Sequence, residues 1–307
     1  MHVTKTKISA VINTWNEAKN LAECLDGLDF VDEIIVVDMA STDNTKQIAK
    51  HYTDKVYDHP YVGYVEPARN FALAKASGDW ILIVDADERI PRSLADKLVD
   101  IAANDEADFV RIPRKNLIFD QWLKYSRWWP DYNIRFFKRG YVEWQSAIHR
   151  PPITNGQGMN LDADPKYALV HHHYRSLDEY LERMIRYTNQ QVKELLAEGY
   201  QFSLADLVSK PIGEFLSRFF AGEGYKDGLH GLALAILQAF STFVVYLKVW
   251  QEEGFVPQKD VLNTPVFRNL IGSKFRELKY WLYTVKIHLS VKKSERFALK
   301  IKRKFNL

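Results

Sequence analysis

Three apolar runs near the start of the chain, each closing on a polar or acidic residue, constrain its fold more than any other feature. Ile8–Ile12 (ISAVI) leads into Asn13-Thr14-Trp15-Asn16, Glu33–Val37 (EIIVV) ends at Asp38, and Trp80–Val84 (WILIV) ends at Asp85. Nearly unbroken apolar runs suit strands covered on both faces, as in a parallel sheet. Helical stretches lie between them. Leu21, Leu25 and Leu28 share one helix face, Ser41 and Thr42 are placed to cap a helix through Ala49, and residues 67–77 read as a helix stopped by Gly78. A helix over roughly 92–103 and a strand at Phe109–Ile112 continue the alternation. Strand, helix, strand in this order calls for a parallel sheet with right-handed crossovers. Ligands bind such sheets beyond the carboxyl ends of the strands. Asn13–Glu17, Asp38 and Asp85–Glu88 are therefore expected to share one rim.

The rest of the chain has a different character. Residues 113–175 are aromatic and short-segmented, with turn signals around Asn155-Gly156 and Gly158 that suggest hairpins and loops. Ser176 and Glu179 form a capping box for a helix ending at Gly199, one face of which carries Tyr180, Leu181, Met184, Ile185, Thr188, Val192, Leu195 and Leu196. Ile212, Phe215, Leu216, Phe219 and Phe220 then mark another helical face. Residues 228–247 contain no Asp, Glu, Lys or Arg, and Val266–Leu289 interleaves apolar with basic residues. Of 307 residues, 47% are hydrophobic and 26% charged, a composition that excludes a disordered or collagen-like chain. A single cysteine, Cys24, excludes an internal disulfide framework and a Cys-based zinc site, and fits a reducing compartment. The N-terminus carries no evident signal peptide.

The chemistry centres on Val84–Glu88 (VDADE). Two carboxylates at i and i+2 beyond a buried strand can converge on Mg²⁺ or Mn²⁺, which keep positions for water and phosphate oxygens. A departing diphosphate needs such neutralisation. Asp38 and Asn16-Glu17 bring polar and acidic groups to the same rim, where they suit hydrogen bonding to a base and a ribose. There is no G-x-G-x-x-G or Walker loop, which argues against dinucleotide oxidoreductases and P-loop enzymes.

ISAVINTWNEAKNLAECLDGL, DEIIVVDMASTDNT and ARNFALAKASGDWILIVDADE, in this order over about residues 5–112, resemble the family 2 nucleotide-sugar glycosyltransferases with the GT-A fold. WWPDYNIRFFKRG, AIHRP and HHHYRSLDEYLERMIRYT resemble, more loosely, the branch holding bacterial lipopolysaccharide-core glucosyltransferases. The resemblance implies an α/β, Rossmann-like GT-A domain over 1–200, with a mostly parallel sheet and helices on both faces. A C-terminal amphipathic, membrane-associating helical region with a basic tail follows over 201–307. It implies Thr14 and Glu17 in the nucleoside pocket, Asp38 on the uracil ring, Arg69 near the nucleotide, Asp85 at the ribose or metal, and Asp87 as principal metal ligand. His171 is the favoured further metal ligand. Asp131 is the favoured base that deprotonates the acceptor in an inverting displacement, with Glu143 as alternative and a salt bridge from Asp131 to Arg127 or Arg135 as the competing role. His149 is a candidate for the acceptor or phosphate side.

Residues 268–307 carry 12 Lys/Arg against 2 Asp/Glu, a net +10, which leaves −7 on residues 1–267. A basic end on an acidic body suits an anionic membrane surface; nothing else supports a nucleic-acid partner. The uncharged stretch 228–247 reaches spanning length, but its polar residues and amphipathic neighbours favour a helix at the interface over one that spans, or over one packed against other helices or at a dimer contact. The expected activity is transfer of a hexose from a UDP-sugar, UDP-glucose or a related UDP-hexose, with Mg²⁺ or Mn²⁺. The acceptor is lipid-linked or lipopolysaccharide, at the cytoplasmic face of a bacterial inner membrane. The alternatives are a polyprenyl-phosphate glycosyltransferase, a protein-modifying glycosyltransferase free of membrane, and a non-catalytic nucleotide-sugar-binding module. Homo-oligomerisation is left open.

Overall fold

The computed structural model describes residues 6–61, 65–145, 151–258, 261 and 264–305. The chain forms two compact units, Met1–Trp122 with Trp128–Arg175, and Leu123–Arg127 with Ser176–Leu307. In chain order the first unit contains β1 (Ile8–Thr14), α1 (Leu21–Asp26), β2 (Glu33–Asp38), α2 (Thr45–Tyr52), β3 (Val56–Asp58), α3 (Glu66–Leu73), β4 (Trp80–Ile83), β5 (Glu88–Arg89) and α4 (Arg92–Asn104). It continues with β6 (Phe109–Ile112), β7 (Arg114–Ile118), β8 (Gln121–Trp122), β9 (Asn133–Lys138), β10 (Val142–Glu143), β11 (Ile153–Thr154), β12 (Gly158–Asn160) and β13 (Leu169–Tyr174).

The main sheet has the order β12-β6-β9-β4-β1-β2-β3. β4, β1, β2 and β3 run parallel, and β9 inserts antiparallel between β4 and β6. Every residue of β1 is buried. Alternation explains why: Ala10 and Ile12 pack with Leu21, Leu25, Leu94 and Leu98 on one face, while Val11 packs with Ile35, Ala68, Ala72 and Ile83 on the other. The chain is thus an α/β protein with a mostly parallel sheet covered on both faces. A second sheet, β5-β13-β7-β8, forms where hairpins and loops were expected. β7 and β8 form one of those hairpins, whereas β5, β7 and β13 come from well-separated stretches of chain, so no local period announces their pairing.

Two local expectations give way to tertiary hydrogen bonds. Ser41 Oγ accepts from Asn16 N–H (2.9 Å) instead of capping, and Thr42 N–H donates to Asn16 Oδ1 (2.8 Å); α2 begins later, with Thr45 N–H on Asp43 Oδ1 (3.0 Å). The helix expected over 67–77 closes at Leu73, because the Ser77 and Gly78 amides donate to Glu33 Oε2 (2.9 Å) and Ser9 Oγ (2.8 Å). Gly78 is needed for close approach and not as a helix stop: a Cβ there would stand 2.7–2.9 Å from Ser9 and Lys7 atoms.

The second unit is helical, with α5 (Leu177–Ala197), α6 (Leu204–Leu216), α7 (Gly228–Glu252), α8 (Pro265–Leu289) and α9 (Lys293–Phe305). Ser176 Oγ accepts from Glu179 N–H (3.1 Å), as the capping box predicts. Tyr180, Met184, Thr188 and Val192 are buried along α5, whereas Ile185 and Leu196, expected on that face, are exposed. α7 is long and apolar enough to cross a membrane by length and composition. It nonetheless makes polar contacts with α5: Lys248 Nζ donates to Thr188 Oγ1 (2.7 Å) and Asn189 Oδ1 (2.6 Å). Gly231 admits the preceding turn, since a Cβ there would lie 1.8 Å from the Gly224 carbonyl.

Glu33 ties the edges of β1 and β2 to the turn after α3. It accepts from Lys55, Ser9 and Ser77, whose amide and hydroxyl lie at 2.9 and 3.0 Å. Burial opposes its ionisation, but these donors outweigh burial and depress the carboxyl to about 2. A depressed folded-state value stabilises above the unfolded value near 4.5 and is lost as pH falls toward about 2. Glu33→Gln should therefore lower unfolding free energy by about 2 kcal/mol at pH 7. In urea titrations across pH the gap from wild type should close between about 4.5 and 2.

Candidate active site

The carboxyl ends of β1, β2 and β4 bring the expected rim together. Thr14 and Asp38 are register partners in the β1–β2 ladder, and both are buried. Asp38 Oδ2 accepts from Ser41 N–H (3.1 Å), while Asp38 Oδ1 and Thr14 Oγ1 are buried without a hydrogen-bond partner among the described residues. Buried polar atoms left in this way normally answer to a ligand group or ordered water. Glu17 has a different setting. Its carbonyl accepts from Asn20 and Leu21 N–H (2.9 Å each) and its carboxylate from Asn20 Nδ2 (2.6 Å), which anchors the start of α1.

The DADE segment divides its acids between two tasks. Asp85 lies between two buried arginines: Arg69 Nη2 reaches its Oδ1 at 3.1 Å, and Arg135 Nη2 bonds its Oδ2. Burial works against its ionisation, yet Arg135 and then Arg69 hold the carboxyl well below the ordinary carboxylate range. Glu88, wholly buried, accepts from Arg135 Nη2 (3.0 Å) and from Asp85 N–H (2.9 Å), and faces Arg114 Nη1 at 3.6 Å. Arg135 in turn is buried against burial's own penalty, compensated by Asp85 and Glu88.

Asp87 points elsewhere. Its Oδ2 stands 3.4 Å from Nε2 of His171, which is 3% exposed. The second sheet makes this meeting: His171 is the register partner of Glu88 in the β13–β5 ladder and of Asn116 in the β13–β7 ladder. His171 Nδ1 lies 2.6 Å from Asn116 Oδ1. No group of three or more His, Cys, Asp or Glu able to hold a metal ion occurs among the described residues. The pair Asp87 and His171 still fits Mg²⁺ or Mn²⁺, because Oδ2 and Nε2 stand at a spacing suited to adjacent ligands of one cation, with His173 Nδ1 3.3 Å from the same nitrogen. These ions commonly take one or two protein ligands and complete their shell with water and substrate phosphates.

Asp131 sits just before β9 with φ of 35°. Its Oδ2 accepts from Arg114 Nε (3.0 Å), Arg114 Nη2 (2.8 Å) and Asn116 Nδ2 (2.9 Å). The salt bridge expected to Arg127 or Arg135 is instead made to Arg114. Arg135 serves Asp85, and Arg127, in the second unit, donates to Ser217 Oγ at 2.9 Å. Glu143 is exposed on the β10–β11 hairpin and lines a cavity with Asn70, Phe137 and Arg139. His149 lies outside the described residues. Sequence reasoning missed Arg114, Asn116 and Arg135 as site residues. The available signal was weak: Arg135 interrupts the apolar run of β9 (NIRFFK), while Arg114 and Asn116 stand beside Lys115 in a polar stretch of β7.

Replacing Arg135 by Met would remove the cation that Asp85 and buried Glu88 share, leaving Glu88 with only the more distant Arg114. Arg135→Met should cost about 3–5 kcal/mol of unfolding free energy, read from the shift of the urea midpoint.

Residues 9–155 match the model of Glycosyl transferase family 2. An uncharacterized glycosyltransferase of Rickettsia typhi is 31% identical over 79% of this chain and 86% of its own length. The lipopolysaccharide core biosynthesis glycosyltransferase LpsC of Rhizobium meliloti is 25% identical over 84% of this chain and 97% of its own. Glucosyl-3-phosphoglycerate synthase from Mycobacterium tuberculosis, solved with Mn²⁺ and UDP-glucose, is 26% identical over 34% of this chain and 43% of its own, with a TM-score of 0.30.

Proposed function

Since the chain belongs to glycosyl transferase family 2 and is a glycosyltransferase, we propose that it moves a hexose from a UDP-sugar to a lipid-linked or lipopolysaccharide acceptor by inverting displacement. The observation that carries this reading is the pairing of buried Asp87 with buried His171 on the rim that also holds Asp38 and Thr14. Asp38 Oδ1 offers an acceptor to the N–H of a uracil ring, and Thr14 Oγ1 a second polar contact beside it. Asp87 and His171 would hold Mg²⁺ or Mn²⁺, which supplies charge neutralisation to the departing diphosphate. Arg69 and Arg135 keep Asp85 ionised and fixed, so the segment's geometry does not depend on the cation.

The displacement forms one bond and breaks one. The acceptor oxygen attacks the anomeric carbon as the bond to the β-phosphate oxygen breaks, and the electron pair leaves with UDP. The acceptor proton passes to Asp131. Its Oδ2 is held by Arg114 and Asn116, so Oδ1 is the oxygen that takes it. LpsC, named for lipopolysaccharide core biosynthesis, supports the choice of acceptor class.

The second unit supports attachment to an anionic membrane surface. α8 exposes Ile271, Phe275, Leu282 and Leu289, which share one helix face, and α9 exposes Phe297 and Ile301. Arg268, Lys279 and Lys286 flank the α8 stripe at helical spacing, and Lys293, Lys300 and Lys304 flank that of α9. Apolar centre and cationic border are the signature of a helix lying in the interface. α7 adds exposed Leu229, Ile236 and Phe240.

Three outcomes are expected. Thermal-shift screening with Mn²⁺ should single out UDP-hexoses, and Asp87→Ala should abolish metal-dependent UDP release. Asp131→Asn should lower transfer to a hydroxyl acceptor by about 10²–10⁴-fold; appreciable residual activity would point to a phosphate acceptor, which needs no base. Flotation should show binding to anionic and not to neutral liposomes, and the double change Phe275→Glu, Leu282→Glu should abolish it. Failure of the wild-type protein to float would remove the membrane from the reading.

A further inference from the structure

We propose that Asn116 is a positioning residue that sets, from one amide, both the ligating nitrogen of His171 and the proton-accepting oxygen of Asp131. The inference rests on the reading above, in which His171 faces the cation and Asp131 takes the acceptor's proton. Asn116 is 1% exposed on β7 and makes three hydrogen bonds. Its Nδ2 donates to the Trp128 carbonyl (2.9 Å) and to Asp131 Oδ2 (2.9 Å), and its Oδ1 lies 2.6 Å from His171 Nδ1.

These contacts leave one orientation of the amide. Both hydrogens of Nδ2 are committed to acceptors, so Oδ1 must face His171 and must accept. Turning the amide over would aim a carbonyl at a carbonyl and a carboxylate. His171 therefore carries a proton on Nδ1, which leaves Nε2 as the nitrogen that can ligate; it stands 3.4 Å from Asp87 Oδ2 and 3.3 Å from His173 Nδ1. A ligating histidine is normally held by such a bond on its other nitrogen. At the far end, Asn116 joins Arg114 in gathering donors on Asp131 Oδ2, which leaves Oδ1 as the oxygen not engaged by them. The link to His171 is fixed, because Asn116 and His171 are register partners in adjoining strands. An amide is the group that does both: it accepts on one side and donates on the other.

A carboxylate of the same shape separates the two tasks. Asn116→Asp can still accept from His171 Nδ1–H but offers Asp131 and Trp128 no hydrogen. Mn²⁺ affinity in the presence of UDP, read by Mn²⁺ EPR, should stay within about threefold of wild type. Transfer kcat should fall at least about tenfold with the donor KM little changed. Asn116→Ala should lose both, with Mn²⁺ affinity down by about 10–100-fold. A purely structural role would move both quantities alike in the two variants, and that result overturns the proposal. A measurement on the metal-free wild type needs no variant: long-range ¹H–¹⁵N spectra at mildly alkaline pH should show His171 as the Nδ1–H tautomer, and the Nε2–H tautomer overturns the proposal. Wild-type protein that ignores Mn²⁺ and UDP together would sink the reading of the site itself, whereas wild type that binds them while Asn116→Asp matches Asn116→Ala would sink only the role of Asn116.

Discussion

The arrangement of the site depends on one buried cation. Arg135 reaches from β9 to Asp85 after β4 and to Glu88 at the start of β5, all at the junction of the two sheets. Burying three charges is tolerable only if each is paired. Glu88 has two further contacts, the Asp85 amide and Arg114, and Asp85 has Arg69. With these acids neutralised inside the protein, the short DADE segment cannot turn freely, and Asp87 is left directed at His171. Adjacent carboxylates that would repel one another around a single point are thus separated, Asp85 and Glu88 on the arginines and Asp87 beside His171.

This division also explains what the sequence could and could not reveal. The strands β1, β2 and β4, their shared rim, and the placing of Thr14, Asp38 and Asp87 on it follow from apolar runs ending in polar residues. These are local signals, and the covering of both sheet faces amplifies them. The second sheet follows from no such signal, since β5, β7 and β13 are short, distant in the chain and polar in part. Asn116 and His171 are 55 residues apart and meet only through register. Asp131 drew its partner from β7, although Arg127 and Arg135 are nearer in sequence, because chain proximity says little once a segment folds into two sheets. Ser41 and Thr42 have the composition of a helix cap but are used to hold Asn16, a tertiary competition that propensity cannot anticipate.

The helical unit obeys a different logic. α5 hides an apolar face in the ordinary way, with Tyr180, Met184, Thr188 and Val192 inside. α8 and α9 leave apolar stripes outside and border them with cations. In water such a surface is a liability for self-association, and its cationic border is what opposes that outcome. Against a bilayer the same two features act together, the apolar centre entering the interface and the cations meeting lipid phosphates.

Charge is unevenly distributed along the chain. The first 267 residues carry −7 and the last 40 carry +10. An anionic surface repels the one and attracts the other, but at physiological salt either force fades within a Debye length of about 8 Å. Long-range attraction therefore cannot bring in the whole molecule as a unit. The basic helices would therefore meet such a surface only on contact, through local charge, and not by steering of the whole chain.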